Sequence, residues 1–301
     1  MNFDSLPRCN ENYSDQDFKM LKKITTQIKK SVYSLNGKHP WSLGYFATRN
    51  QFIESVLSNL ENQFIPEPTY GFGFDERVVE YPWLVSKLSD KPSRLLDAGS
   101  ILNFDFILQQ KKIKNKRICI TTLAPERHCY WKDGISYTFD DLRDLPFKNH
   151  TFDEIVCIST LEHIGLDNKI YFQTEIGEVE NTTELVKTDK VDSHLVAVSE
   201  MHRVLKPGGK LYLTVPFGKS QKLGWLQVFN SQGIDQVIST FSPSNVDETV
   251  FIHNETGWAK STRAKASTAN YYNVHSGEKT DHLAAAEAVI ALVLTKHESN
   301  Q

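Results

Sequence analysis

Apolar positions recur at spacings of three and four in DFKMLKKITTQIKK, residues 17–30, and in TRNQFIESVLSNLENQF, residues 48–64, which predicts two amphipathic helices. Pro, Gly and aromatic residues then take over in PEPTYGFG, residues 66–73, a connector composition. DERVVEYPWLVSKL, from Asp75, resumes helical spacing until DKPS stops it. Beyond that point the pattern alternates. RLLDAG is a short apolar strand, FDFILQQKK a helix, KRICITTL a second strand, ISYTFDD a third and DEIVCIST a fourth. HLVAVSEMHRVL follows as an amphipathic helix and GKLYLTVPF as a fifth strand. Between them Pro207, Gly208 and Gly209 stop the helix, because Pro cannot continue it and Gly accepts positive φ. GIDQVISTF adds a helix, ETVFIHN a strand and AEAVIALVLTK a final apolar run.

Strands separated by helical stretches predict right-handed crossovers and a parallel sheet covered on both faces. In such sheets ligands sit outside the carboxyl ends of the strands. The residues after Leu96, Thr121, Phe139 and Thr160 are therefore expected around one crevice. Two regions are predicted: a helical N-terminal extension over 1–70, and an α/β domain over 71–301. The domain carries an acidic insertion at about 165–192, with Glu175, Glu178, Glu180, Glu184, Asp189 and Asp192. A connection that long is either a lid or substrate loop, or an excursion without structure of its own.

Composition narrows the partners. A chain of 301 residues, 40% hydrophobic, can bury one dominant core. A net charge of −3 supplies no broad positive field, which argues against nucleic acid. Lys19, Lys22, Lys23, Lys29 and Lys30 are read as a solvated helix face, with phosphate or membrane contact as the alternative. Cys9, Cys119, Cys129 and Cys157 form no CxxC pair, and ICITT and IVCIST suggest buried thiols. The polar N-terminus and the lack of a run of about 18 apolar residues lead to the expectation of a cytoplasmic protein without membrane insertion. The histidines show no metal-ligand spacing.

Two long segments carry a resemblance. DLRDLPFKNHTFDEIVCISTLEHIG, from Asp141, and EMHRVLKPGGKLYLTVPFG, from Glu200, resemble the class I S-adenosylmethionine-dependent methyltransferases over residues 92–218. The resemblance implies a three-layer Rossmann-like fold, with a mostly parallel seven-stranded sheet and an antiparallel last strand. It also implies S-adenosyl-L-methionine as cofactor. By that likeness Asp141 would hold the adenine amino group and the Leu142 N–H would meet the ring, with Asp140 an alternative and a turn-capping role for these acids left open. Asp97 and Gly99 match the start of the family's glycine loop, Asp97 organising the methionine end, and Ser100 and Asn103 complete the set. LLDAGS-x-LN, ITTLAPE, DLRDLPF and CISTLEHIG also resemble bacterial methyltransferase-like proteins associated with polysaccharide or cell-surface glycan gene clusters. With DERVVEYPWL, that wider likeness covers residues 71–295.

The chain departs from the family in two places. Ile101 and Asn103 stand where further glycines are usual. Asn tolerates a left-handed backbone, but a β-branched residue does not readily, so the loop must run differently or sit farther from the ligand. Thr122 occupies the place of the acid that grips the ribose hydroxyls, and Glu126 downstream is the alternative. His163, just beyond the fourth strand, could take a proton from a hydroxyl, with Glu162 pairing with it or touching the cofactor. The same LEH wording accompanies very different acceptors, so an architectural role stays open. Tyr81, Trp83, Trp225 and Phe229 are read as an aromatic wall for a sugar ring or as core, and Lys219 and Lys222 as contacts for an anionic substrate. The expected activity is O-methylation of a small molecule or glycan. The alternatives are a non-catalytic scaffold of the same fold and, more distantly, a dinucleotide oxidoreductase, which would want a fuller glycine fingerprint.

Overall fold

A computed structural model describes residues 15–35, 37–61, 63–126, 128–168, 192–272 and 285–298. Most of the acidic insertion lies outside the described residues. Helices α1 (Asp15–Leu35), α2 (Tyr45–Ser58) and α3 (Arg77–Lys87) come first. They precede β1 (Arg94–Ala98), the short α4 (Asp105–Leu108) and α5 (Lys111–Lys114), β2 (Arg117–Thr121), β3 (Ser136–Thr138) and β4 (Phe152–Ile158). Then come α6 (Ser193–Val204), β5 (Leu205–Pro216), a ribbon of β6 (Gln221–Lys222) and β7 (Gln227–Val228), and α7 (Ser231–Phe241). The chain ends with β8 (Asn245–Asn254), β9 (Gly257–Ser261), α8 (Arg263–Ala266) and β10 (Ala288–Thr295).

The main sheet has eight strands in the order β3-β2-β1-β4-β5-β10-β8-β9. Strands β3 to β5 run parallel, and β10 is antiparallel to both of its neighbours. This is the three-layer Rossmann-like arrangement, with one strand more than expected. The eighth arises because the Asn254 side chain accepts from the backbone N–H groups of Thr256 and Gly257, folding β8 back on β9. Gly257, at φ +134°, completes that reversal where an added Cβ would meet the Tyr70 carbonyl. Two other boundaries also differ. The single helix expected at 104–112 is two short ones, and the helix expected to run through Leu205 stops at Val204. There the Lys296 ammonium donates to the carbonyls of His202 and Leu205, supplying partners for the helix's last acceptors.

Both faces of the sheet are buried, which explains why its strands read as near-continuous apolar runs. Leu95, Ile118, Val156, Tyr212 and Val289 point into one cluster, while Leu96, Ile155, Leu211, Val250 and Ile290 point into the other. The first cluster also takes in Ile53 and Leu57 of α2 and Val78, Tyr81 and Trp83 of α3. Helices α2 and α3 therefore share the core of the sheet, and the Arg49–Asp75 ion pair at 2.5 Å ties α2 to the segment before α3. Tyr81, Trp83 and Phe229 belong to the core, and no aromatic wall includes them.

Candidate functional site

Loops leave the carboxyl ends of β1 to β4 side by side, and a cleft of about 380 Å³ opens between them. Pockets for small ligands span roughly 300–1,000 Å³. Gly99 and Ile101 border it after β1, Thr122 and Glu126 after β2, Asp141 and Leu142 after β3, and Thr160 and His163 after β4. Arg77 reaches it from α3.

The glycine turn is built from beneath. Asp97 is fully buried, and its carboxylate accepts from the N–H groups of Ile101 (3.2 Å) and Leu102 (2.7 Å). Burial pushes that carboxyl up to about 7, against those two hydrogen bonds. The left-handed positions are Gly99 (φ +121°) and Ser100 (φ +65°), so neither Ile101 nor Asn103 has to adopt one. This corrects the left-handed role expected of Asn103. Its side chain instead donates to the His128 carbonyl and accepts from the Tyr137 hydroxyl, bracing the loop against β3. Gly99 is required for packing as well as for openness, because a Cβ there would collide with the Thr160 side chain. Ile101 is 8% exposed, its carbonyl accepts from the Tyr81 hydroxyl at 2.7 Å, and it borders the cleft without filling it.

Opposite this turn stands Asp141. Both of its oxygens accept from Arg143 Nε at 3.0 Å, and one also accepts from Nη2 at 2.7 Å. The acid assigned to adenine is thus partly neutralised by a neighbour two residues away. Leu142 lies buried beside it. Thr122 donates its N–H to the Thr138 carbonyl and sits on the cleft wall, as does Glu126.

His163 lies at the rim, stacked on Trp225 with ring centroids 5.3 Å apart. Its Nδ1 is 2.9 Å from the Trp225 carbonyl, which can only accept, so Nδ1 carries the proton and Nε2 is the basic nitrogen. Desolvation pulls the imidazole down to about 4, against the hydrogen bond to Trp225 and helped by the Arg77 charge. Glu162 is buried, and burial pushes its carboxyl well above the ordinary range. With the imidazole held down to about 4, the 3.8 Å approach of Glu162 to Nε2 is not an ion pair at neutral pH.

Of the residues singled out from sequence, Gly99, Thr122, Asp141, Leu142 and His163 line one cleft. Asp97, Ser100, Asn103 and Glu162 stand behind it. Lys219 and Lys222 do not border it either. Arg77 was missed. It pairs with Glu80 at 2.5 Å, and Glu80 in turn accepts from the hydroxyls of Ser159 (2.6 Å) and Thr214 (2.5 Å), linking α3 to β4 and β5 beneath the cleft. Its signal was present in DERVVEYPWL, where Arg77 and Glu80 share one face of an otherwise apolar helix.

No family model matches the chain, and no curated protein does. Among solved structures, the chain resembles the Burkholderia thailandensis 1,6-didemethyltoxoflavin-N1-methyltransferase with bound S-adenosylhomocysteine at 11% identity and TM-score 0.42, covering 97% of this chain and 94% of that one. It also resembles the [4+2]-cyclase SpnF at 14% identity and TM-score 0.45, covering 91% and 97%. A third similar structure is a Methanosarcina mazei SAM-dependent methyltransferase, at 13% identity and TM-score 0.40, covering 72% and 98%. These likenesses are remote, and they join methyltransferases with a cyclase.

Proposed function

We propose that the protein is an S-adenosylmethionine-dependent methyltransferase acting on a hydroxyl group of a small molecule or glycan. The observation that carries this reading is that the glycine turn after β1 and Asp141 after β3 border one cleft, which Ile101 leaves open. The donor set suits the cofactor: a close backbone approach at Gly99, an apolar rest at Leu142, and a carboxylate at Asp141. When bound, S-adenosylmethionine supplies a methyl group on a sulfonium, open to in-line displacement by an oxygen nucleophile.

The chain's own residues do the rest. Asp141 would accept from the adenine amino group while keeping its pairing with Arg143. Thr122 offers one neutral hydroxyl where a carboxylate would accept from two ribose hydroxyls, and charge-assisted bonds exceed neutral ones by about 1 kcal/mol. Affinity for the cofactor is accordingly modest. His163 Nε2 takes the proton of the acceptor hydroxyl, with the imidazole held in the required tautomer by Trp225. Stacking on Trp225 fixes the ring plane at the rim. The glycan option rests on the resemblance of LLDAGS-x-LN and ITTLAPE.

A second reading, a non-catalytic scaffold, is favoured by Thr122 and by the Asp141–Arg143 pair. Calorimetric titration with S-adenosylhomocysteine separates the two. One-to-one binding supports the enzyme, while folded protein that gives no heat at millimolar ligand supports the scaffold.

A further inference from the structure

Arg77 borders the cleft from α3 with part of its hydrogen-bonding capacity unused. Its Nη1 pairs with Glu80 at 2.5 Å, while Nε and Nη2 have no hydrogen-bond partner among the described residues. Those two nitrogens share one edge of the planar guanidinium, and their parallel N–H groups match the two oxygens of a carboxylate. The head is held in place. Glu80 accepts from the hydroxyls of Ser159 (2.6 Å) and Thr214 (2.5 Å) with its other oxygen, which ties the pair to β4 and β5. Ser159 itself borders the cleft, four residues before His163.

This head belongs to the His163 side of the cleft. Burial dominates the shifts of both His163 and Asp97, but the charge that acts as well is Arg77 at the imidazole and Glu126 at the carboxyl beneath the glycine turn. Arg143, the other arginine on the cleft wall, is engaged by Asp141. Asn168 adds an acceptor on the same side. Its Nδ2 donates to the His163 carbonyl, and its buried Oδ1 has no hydrogen-bond partner among the described residues. A neutral ligand would leave the Arg77 fork unmatched, and a dianionic phosphate would call for a second cation, which Lys219 and Lys222 do not bring to the cleft.

We propose that the methyl acceptor carries a carboxylate near the hydroxyl that faces His163, as a uronic acid or another hydroxylated carboxylate does, and that Arg77 holds it through Nε and Nη2. The inference rests on the methyltransferase reading and specifies its substrate. Arg77 then bridges two carboxylates, Glu80 behind it and the acceptor's in front. Asn168 Oδ1 accepts from a second hydroxyl of the acceptor, and the two contacts together select which oxygen reaches His163 Nε2.

Calorimetric titration of the full chain saturated with S-adenosylhomocysteine tests this. The probes are sodium glucuronate, galacturonate and gluconate, each against its uncharged counterpart, glucose, galactose or glucitol. At least one carboxylate binds about ten- to a hundredfold more tightly than its counterpart. Arg77→Gln removes that preference, and Arg77→Lys restores only part of it, because an ammonium supplies charge without the fork. If Arg77→Gln unfolds the protein by stranding the Glu80 carboxylate, the pair Arg77→Gln with Glu80→Gln shows the same loss without a buried unpaired charge. The variants keep S-adenosylhomocysteine affinity within about twofold of the parent's, since the cofactor's part of the cleft is untouched. The inference falls if every carboxylate binds no better than its counterpart. It falls equally if Arg77→Gln weakens S-adenosylhomocysteine about tenfold, which would put Arg77 on the cofactor's own carboxylate. A parent that gives no heat with S-adenosylhomocysteine overturns the methyltransferase reading and takes the inference with it, whereas a parent that binds it and shows no carboxylate preference overturns the inference alone.

Discussion

Gly99→Ala probes the turn that shapes the cleft. Its φ of +121° lies where L-residues rarely go, and such strain costs on the order of 1–3 kcal/mol. The added Cβ would also collide with Thr160 Oγ1 and stand 2.5 Å from Thr160 Cγ2 and 2.8 Å from Thr160 Cβ. Overpacking of that kind costs about 1–3 kcal/mol, so the single variant should lose roughly 4 kcal/mol in all. Thr160→Ala removes the two closest atoms but also the hydroxyl that donates to the Ile158 carbonyl at 3.0 Å, and costs about 1 kcal/mol alone. Combined, the two changes should be less destabilising than their sum by about 1–2 kcal/mol, because the two closest contacts are gone while the 2.8 Å approach to the Cβ of residue 160 and the backbone strain remain. Urea unfolding of the four proteins in the cycle measures this. Additivity within about 0.5 kcal/mol, or a Gly99→Ala variant as stable as the parent, would refute the packing argument.

Other outcomes follow from the site. Thr122→Asp restores a charged partner for the ribose and should tighten S-adenosylhomocysteine binding about tenfold, read by calorimetry. His163→Gln should lower kcat by roughly 10²–10⁴ with little change in cofactor affinity, in a methyl-transfer assay once an acceptor is known. Because the imidazole is pulled down to about 4, the parent's kcat/KM should stay level from neutral pH downward and fall only near pH 4; an acid limb centred on the ordinary histidine value would count against His163 as the base. Asp97 titrates in the folded state near 7, above its value in the unfolded chain, so its contribution to stability is full below about pH 4 and is lost as pH rises through 7. Asp97→Asn should therefore remove on the order of 3 kcal/mol from the pH dependence across that window, as seen in unfolding curves for both proteins.

The architecture was legible because the central strands of the sheet bury both faces. Runs such as IVCI and VIALVL leave no polar alternation to misread. What the pattern hid were features set by local chemistry. Residues 257–261 are a strand only because Asn254 folds the chain back to pair them with β8, and GWAKS has no apolar run of its own. The glycine turn was legible in its first residue and misread in its last. The positive φ falls on Ser100, which no propensity singled out, and Asn103 is drawn away by Tyr137 from the neighbouring strand. Arg77 and Glu80 escaped because their significance depends on Ser159 and Thr214, distant in sequence and brought beneath the cleft by the sheet. The Asp141–Arg143 pair spans only two residues. A sequence spacing of that kind does not distinguish an ion pair from two solvated charges.

The central claim is that the Gly99 turn and Asp141 enclose an adenosyl cofactor. A crystal structure of the protein grown with saturating S-adenosylhomocysteine tests it most directly. The account predicts the adenine against Leu142 with its amino group on the Asp141 carboxylate, and the amino-acid end over Gly99. Density for the ligand elsewhere, or a cleft closed by the Ile101 side chain at saturation, would contradict it.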